Sequence, residues 1–73
     1  MDYGSLNIKV AEIIKKRGIS RTKFGYKAEL HRVQVNRYCD NKVKKLDFAI
    51  LARICTALEC DIGDIIEYIP PVE

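Results

Sequence analysis

Three places in the chain set a helix-capping residue directly after one apolar residue and four positions before another: Ile19-Ser20 with Phe24, Leu46-Asp47 with Leu51, and Cys60-Asp61 with Ile65. At such a position a Ser or Asp side chain accepts a backbone N–H of the first helical turn. The apolar pair closes across the cap and fixes the angle at which the chain enters the helix. Leu30-His31 with Val35 is a fourth version, with Gln34 at the capping-box position and a histidine as a weaker cap. Upstream, Leu6, Val10, Ile13 and Ile14 share one helical face that Gly18 can end. Phe48, Leu51, Ala52, Cys55 and Leu58 repeat that spacing, and Ile50 and Ile54 widen the stripe. Strand signals are poor, and Pro70 and Pro71 cannot continue a helix. The pattern predicts five short helices over about 6–17, 20–27, 31–39, 47–59 and 61–68. The expected fold class is all-α, a compact five-helix bundle with short connections and a tail at 69–73.

Length and composition narrow the function. Seventy-three residues make one domain, spanning 1–73, near the lower limit for a self-sufficient core. No apolar run approaches the roughly 18 residues of a membrane span, and "MDYGSLNIKV" lacks a basic segment followed by an apolar one. A cytoplasmic protein is expected. Cys39, Cys55 and Cys60 form no CxxC pair, and His31 is the single histidine, so no four-ligand zinc site is in view. The thiols read as free cysteines or small apolar residues, and no metal, cofactor or small-molecule ligand is expected. Nor is an enzyme. There is no phosphate-binding glycine loop and no nucleophile with a base at recognisable spacing, and Asp61 and Asp64 read as a cap and a first-turn carboxylate.

The net charge is only +3, but it is segregated. Residues 15–45 hold eleven bases against Glu29 and Asp40, a local balance of +9, whereas residues 46–73 carry −5. A focused positive surface suits a polyanion. It coincides with the second and third helices, which a short turn forces to cross at a large angle, as in a helix-turn-helix unit over about 20–39. Gly25 falls where the two would approach most closely. The third helix needs only Val35 and Tyr38 for its interior, with Leu30 at its entrance. Arg32, Val33, Asn36 and Arg37 then share another face. Arginine can donate two hydrogen bonds to guanine, asparagine can pair with adenine, and valine can touch a thymine methyl. Phosphate contacts are expected from Ser20, Arg21 and Lys23 on one side and from Asn41, Lys42, Lys44 and Lys45 on the other, with Gln34 added on the third helix.

"ISRTKFGYKAELHRVQVNRYCDNKVKKLDFAILARICTALECDIGDIIEYIP" resembles the Cro/C1-type helix-turn-helix transcriptional regulators, the XRE family, in the small form that finishes in a "GDIIEYIP"-like segment. The resemblance covers about residues 6–70. It is carried by "ISR" opening the second helix, "NRY..NK" closing the third, and "L..IC.AL.C..GDIIEYIP". It implies a lambda-repressor-like domain that binds double-stranded DNA sequence-specifically with the helix at 31–39 in the major groove. On that match Arg32, Val33 and Arg37 face bases with Asn36 beside them, and Ser20, Arg21 and the loop Asn41–Lys45 face phosphate. Three departures stand out: Glu29 occupies the turn position that is commonly glycine, Gly25 replaces a small alanine, and His31 replaces the more usual Ser or Thr cap. A homodimer, formed in solution or only on DNA, is expected, since one recognition helix spans few base pairs. The rival reading is a protein-interaction module of the same fold, antirepressor-like or antitoxin-like, in which the acidic C-terminal half and the "YIPPV" tail would carry the contact.

Overall fold

A computed structural model describes residues 2–72. The elements follow in the order β1 (Ser5–Ile8), α1 (Val10–Lys16), α2 (Arg21–Ala28), α3 (Arg32–Cys39), α4 (Phe48–Leu58), α5 (Ile62–Ile65) and β2 (Ile66–Ile69). The expected capping residues are the N-caps of α2 to α5. Ser20 Oγ accepts the Lys23 N–H at 3.1 Å, and Asp47 Oδ1 accepts those of Ala49 and Ile50 at 2.8 and 3.3 Å. At α3, Gln34 Oε1 accepts the His31 N–H at 3.0 Å, and at α5, Asp64 Oδ2 accepts that of Asp61 at 2.9 Å.

The four longer helices also stop by one device. Gly18, Glu29, Asn41 and Glu59 take left-handed backbone angles, with φ of 67°, 55°, 57° and 49°. The next N–H then reaches back five residues: Ile19 to the Ile14 carbonyl, Leu30 to Gly25, Lys42 to Arg37 and Cys60 to Cys55. This closure satisfies carbonyls that the helix end would leave orphaned. Glycine takes the conformation without a steric penalty, whereas a glutamate there carries strain of about 1–2 kcal/mol.

The ends of the chain correct the all-α expectation. The first helix begins at Val10 rather than near residue 6, and the last ends at Ile65 rather than near residue 68. The segments so released pair as an antiparallel two-stranded sheet, with Ser5 opposite Ile69, Leu6 opposite Tyr68, Asn7 opposite Glu67 and Ile8 opposite Ile66. A spacing of four between Leu6 and Val10 fits a helix, but the β-branched and aromatic "IEYI" suits an extended strand, and pairing supplies backbone partners to both segments. The Lys9 N–H continues the ladder to the Ile65 carbonyl at 2.6 Å. Ile8 is buried at the core, while Leu6 and Tyr68, on the same face of the sheet, overhang it at 57% and 59% exposure.

The core gathers Val10 and Ile14 of α1, Phe24 and Ala28 of α2, Val35 and Tyr38 of α3, and Ile65 around the Leu51, Ile54 and Leu58 stripe of α4. The α4 stripe is rotated from the expected one, leaving Phe48 and Ala52 exposed. Gly25 is where α2 and α3 touch: a Cβ there would stand 3.1 Å from Val35 Cγ2 and 3.2 Å from the Leu30 carbonyl oxygen. The Arg17 guanidinium donates to the Leu58 carbonyl, tying the end of α1 to the end of α4.

Candidate nucleic-acid interface

The two faces of α3 divide as its residue types require. Val35, Tyr38 and Cys39 are buried, and burial pushes both the Tyr38 hydroxyl and the Cys39 thiol up, toward their protonated forms. On the outer face Arg32, Val33 and Arg37 are exposed, and Val33 is 61% open to solvent, outside the apolar core. Asn36 is half-buried between α2 and α3.

The expected phosphate-facing residues fare differently from one another. Lys23, Lys42, Lys44 and Lys45 are exposed. Among the described residues the one ion pair is Arg21–Asp40 at 2.9 Å, so these lysines, Arg32 and Arg37 hold their charge without an acidic partner. Ser20 and Gln34 spend an acceptor on helix capping. Asn41 Oδ1 accepts the Ile8 N–H at 3.0 Å, so this residue also joins the exit of α3 to β1.

Arg21 does more than open α2. Its Nη1 donates to Asn36 Oδ1 and its Nη2 to Asp40 Oδ1, both at 2.9 Å. The charge-assisted bond to Asp40 raises the Arg21 guanidinium above its ordinary value. That bond holds the Asp40 carboxyl below the usual carboxylate range, with Lys42 nearby adding to the effect. A residue expected at phosphate and one expected at a base are thus in direct contact.

Reading the sequence missed Thr22 and Tyr26. Both line a groove of about 430 Å³ between α2 and α3, together with Arg21, Arg32 and Asn36. Tyr26 is 81% exposed. The signal was present: Phe24 and Ala28 form the inward stripe of α2, and an aromatic residue between them has no core to enter. A cavity of equal volume beside Glu59, Asp61 and Asp64 is acidic and repels a polyanion. Among the described residues no group of His, Cys, Asp and Glu could hold a metal ion, and no helix is long and apolar enough to cross a membrane.

Known proteins share this fold. The chain superposes on the transcriptional regulator VanUg with a TM-score of 0.74 at 21% identity, covering 97% of this chain and 93% of that one. It also superposes on a protein from Bacteroides fragilis described as a candidate DNA-binding protein, with a TM-score of 0.73 at 13% identity, covering 86% of this chain and all of the other. At such identities the likeness shows the fold. No curated protein matches the sequence. A family model for the Cro/C1-type helix-turn-helix DNA-binding domain matches residues 9–71, nearly the whole chain, and the chain belongs to that family.

Proposed function

We propose that the chain is a small transcriptional regulator that binds duplex DNA sequence-specifically, with α3 lying in the major groove. The observation that carries this reading is the outer face of α3: Arg32, Val33 and Arg37 are exposed, and neither arginine has an acidic partner among the described residues. Arg32 and Arg37 supply forked donors for guanine, and Val33 supplies an apolar contact for a thymine methyl. Lys42, Lys44 and Lys45 after α3, and Ser20, Arg21 and Lys23 at the start of α2, hold the flanking phosphates. Asn41 and Gln34 serve the fold first, accepting the Ile8 and His31 N–H groups, and meet the DNA backbone with their free amide donors.

The chain acts by binding rather than catalysis, in the cytoplasm, as a homodimer assembled in solution or on the DNA. Support for pairing comes from the short α3. Its eight residues span about 12 Å at 1.5 Å each, enough for only a few base pairs. Exposed Tyr3, Leu6 and Tyr68 near the two ends of the chain offer apolar surface for the second copy.

The test is selection from a random duplex pool at two salt concentrations. Enrichment of a short motif, repeated in inverted orientation, supports both specificity and pairing; no binding at low salt rejects the reading. Within that assay Arg37→Ala is expected to cost about 1–3 kcal/mol on the preferred site and relax one position of the motif. Lys44→Ala should instead weaken every sequence alike and lower the salt slope by about one. Equal losses on all sequences from both would remove Arg37 from base readout.

A further inference from the structure

Arg21 stands at the first position of α2, yet its guanidinium spans two positions of α3. The planar fork reaches Asn36 Oδ1 with one arm and Asp40 Oδ1 with the other, each at 2.9 Å, and those two residues are one helical turn apart. A guanidinium has donors only, so the Asn36 amide must turn its oxygen toward it. The amide nitrogen is thereby turned away from α2. A bidentate adenine contact needs the oxygen and the nitrogen of one amide together at one base edge. Here the oxygen points back across the α2–α3 groove, in a side chain that is already half-buried.

We propose that Arg21 is a positioning residue that makes Asn36 a donor-only reader, presenting Nδ2 to the base it faces. This inference rests on α3 lying in the major groove. On the strand that Asn36 meets, guanine, adenine and thymine each offer an acceptor in that groove, and cytosine offers only its amino donor. The position therefore accepts three bases and refuses cytosine. Docking does not require the clamp to open. Two of the five guanidinium N–H groups are used, and three remain for a phosphate. Asp40 holds the fork in register, and the depressed pKa of its carboxyl is the electrostatic trace of that pairing.

The experiment is random-duplex selection with the unaltered chain, Arg21→Lys, Arg21→Met and Asn36→Ala, with the melting temperature of each recorded. Lysine keeps the charge for phosphate but cannot fork to two acceptors. The unaltered chain should exclude cytosine at one motif position and tolerate the other three bases. Both Arg21 variants should free Oδ1 and turn that position toward adenine by about fivefold or more, at unchanged melting temperature. Asn36→Ala should admit cytosine there. Adenine specificity in the unaltered chain that Arg21→Lys abolishes would overturn the inference. So would a motif identical in the unaltered chain and both Arg21 variants. If the unaltered chain selects no duplex at all, the DNA-binding reading falls and takes this inference with it. A motif indifferent to Arg21 removes only the inference.

Discussion

The α2–α3 pair and the β1–β2 sheet are each built from two short elements, and they are held together in opposite ways. Between Ser20 and Cys39 the hydrogen-bonded joins run no further than the 15 residues from Arg21 to Asn36. Caps lie inside their own first turns, the stop at Glu29 hands directly to the next helix, and Phe24, Ala28 and Val35 close the angle from beneath. The strands instead pair residues from opposite ends of the chain, as in the Asn7–Glu67 side-chain bond across a separation of 60, and their apolar face overhangs the core. Ordering a long separation costs loop entropy that only the pairing itself returns. The α2–α3 unit can therefore hold its shape while the sheet opens and closes, the kind of sub-global opening expected where few contacts are buried.

The largest effect should come from breaking the local unit. Phe24 is fully buried, and Phe24→Ala is expected to cost about 3–5 kcal/mol, a large part of the 5–15 kcal/mol that stabilises a typical domain. Urea denaturation should show a collapsed midpoint or no cooperative transition. Gly4→Ala strikes the other region. Gly4 has φ of 82°, and an added Cβ would clash with the Ile69 carbonyl oxygen. The expected cost is about 1–3 kcal/mol, confined to the sheet. Amide exchange should accelerate at Asn7 and Glu67 and stay slow at Tyr38. Equal acceleration at all three would mean that the two regions open as one unit.

The same contrast explains how much was legible in the sequence. N-caps are made within three residues, so Ser20, Asp47 and Asp61 could be read directly and α2, α3 and α4 fell within a residue of expectation. The strands could not, because Leu6 and Val10 satisfy a helical spacing and the partner that draws Leu6 into a strand is Tyr68. In the candidate site, the exposure of Arg32, Val33 and Arg37 follows from which residues α3 must bury. The Arg21 contacts with Asn36 and Asp40 depend on how α2 crosses α3, and so does the groove that Thr22 and Tyr26 share with Arg32. A crossing set by Gly25 against Val35 has no signature in spacing alone.

A smaller effect, of opposite sign, tests how tightly the local unit is strained. Glu29 takes the left-handed stop that glycine takes without steric cost, so Glu29→Gly should stabilise by about 0.5–1 kcal/mol after the extra backbone entropy of glycine is subtracted. For a domain of this size that is roughly 2–8 °C in melting temperature. Gly18→Ala is the reciprocal: its Cβ would meet nothing within 4 Å, yet φ of 67° makes it strained. Differential scanning calorimetry should move the two variants in opposite directions. A lower midpoint for Glu29→Gly would show that the glutamate side chain contributes more to the turn than its backbone costs.

The smallest effect concerns acid. Asp40 is held below the usual carboxylate range by the Arg21 bond first. A carboxyl depressed in the folded state contributes stability that is complete above its unfolded value, about 3.9, and is lost as pH falls through the depressed one. Because both partners are exposed, the contribution to global stability is small. The pair should therefore be intact through neutrality, and changes in DNA affinity between about pH 5 and 8 cannot come from it. The Asp40 carboxyl carbon shift, followed by NMR against pH, should titrate below that of an ordinary exposed aspartate and return to the usual range in Arg21→Met. An ordinary midpoint in the unaltered chain would mean that Asp40 does not hold the Arg21 fork in register, and that the single bond to Asn36 Oδ1 is left to orient the amide.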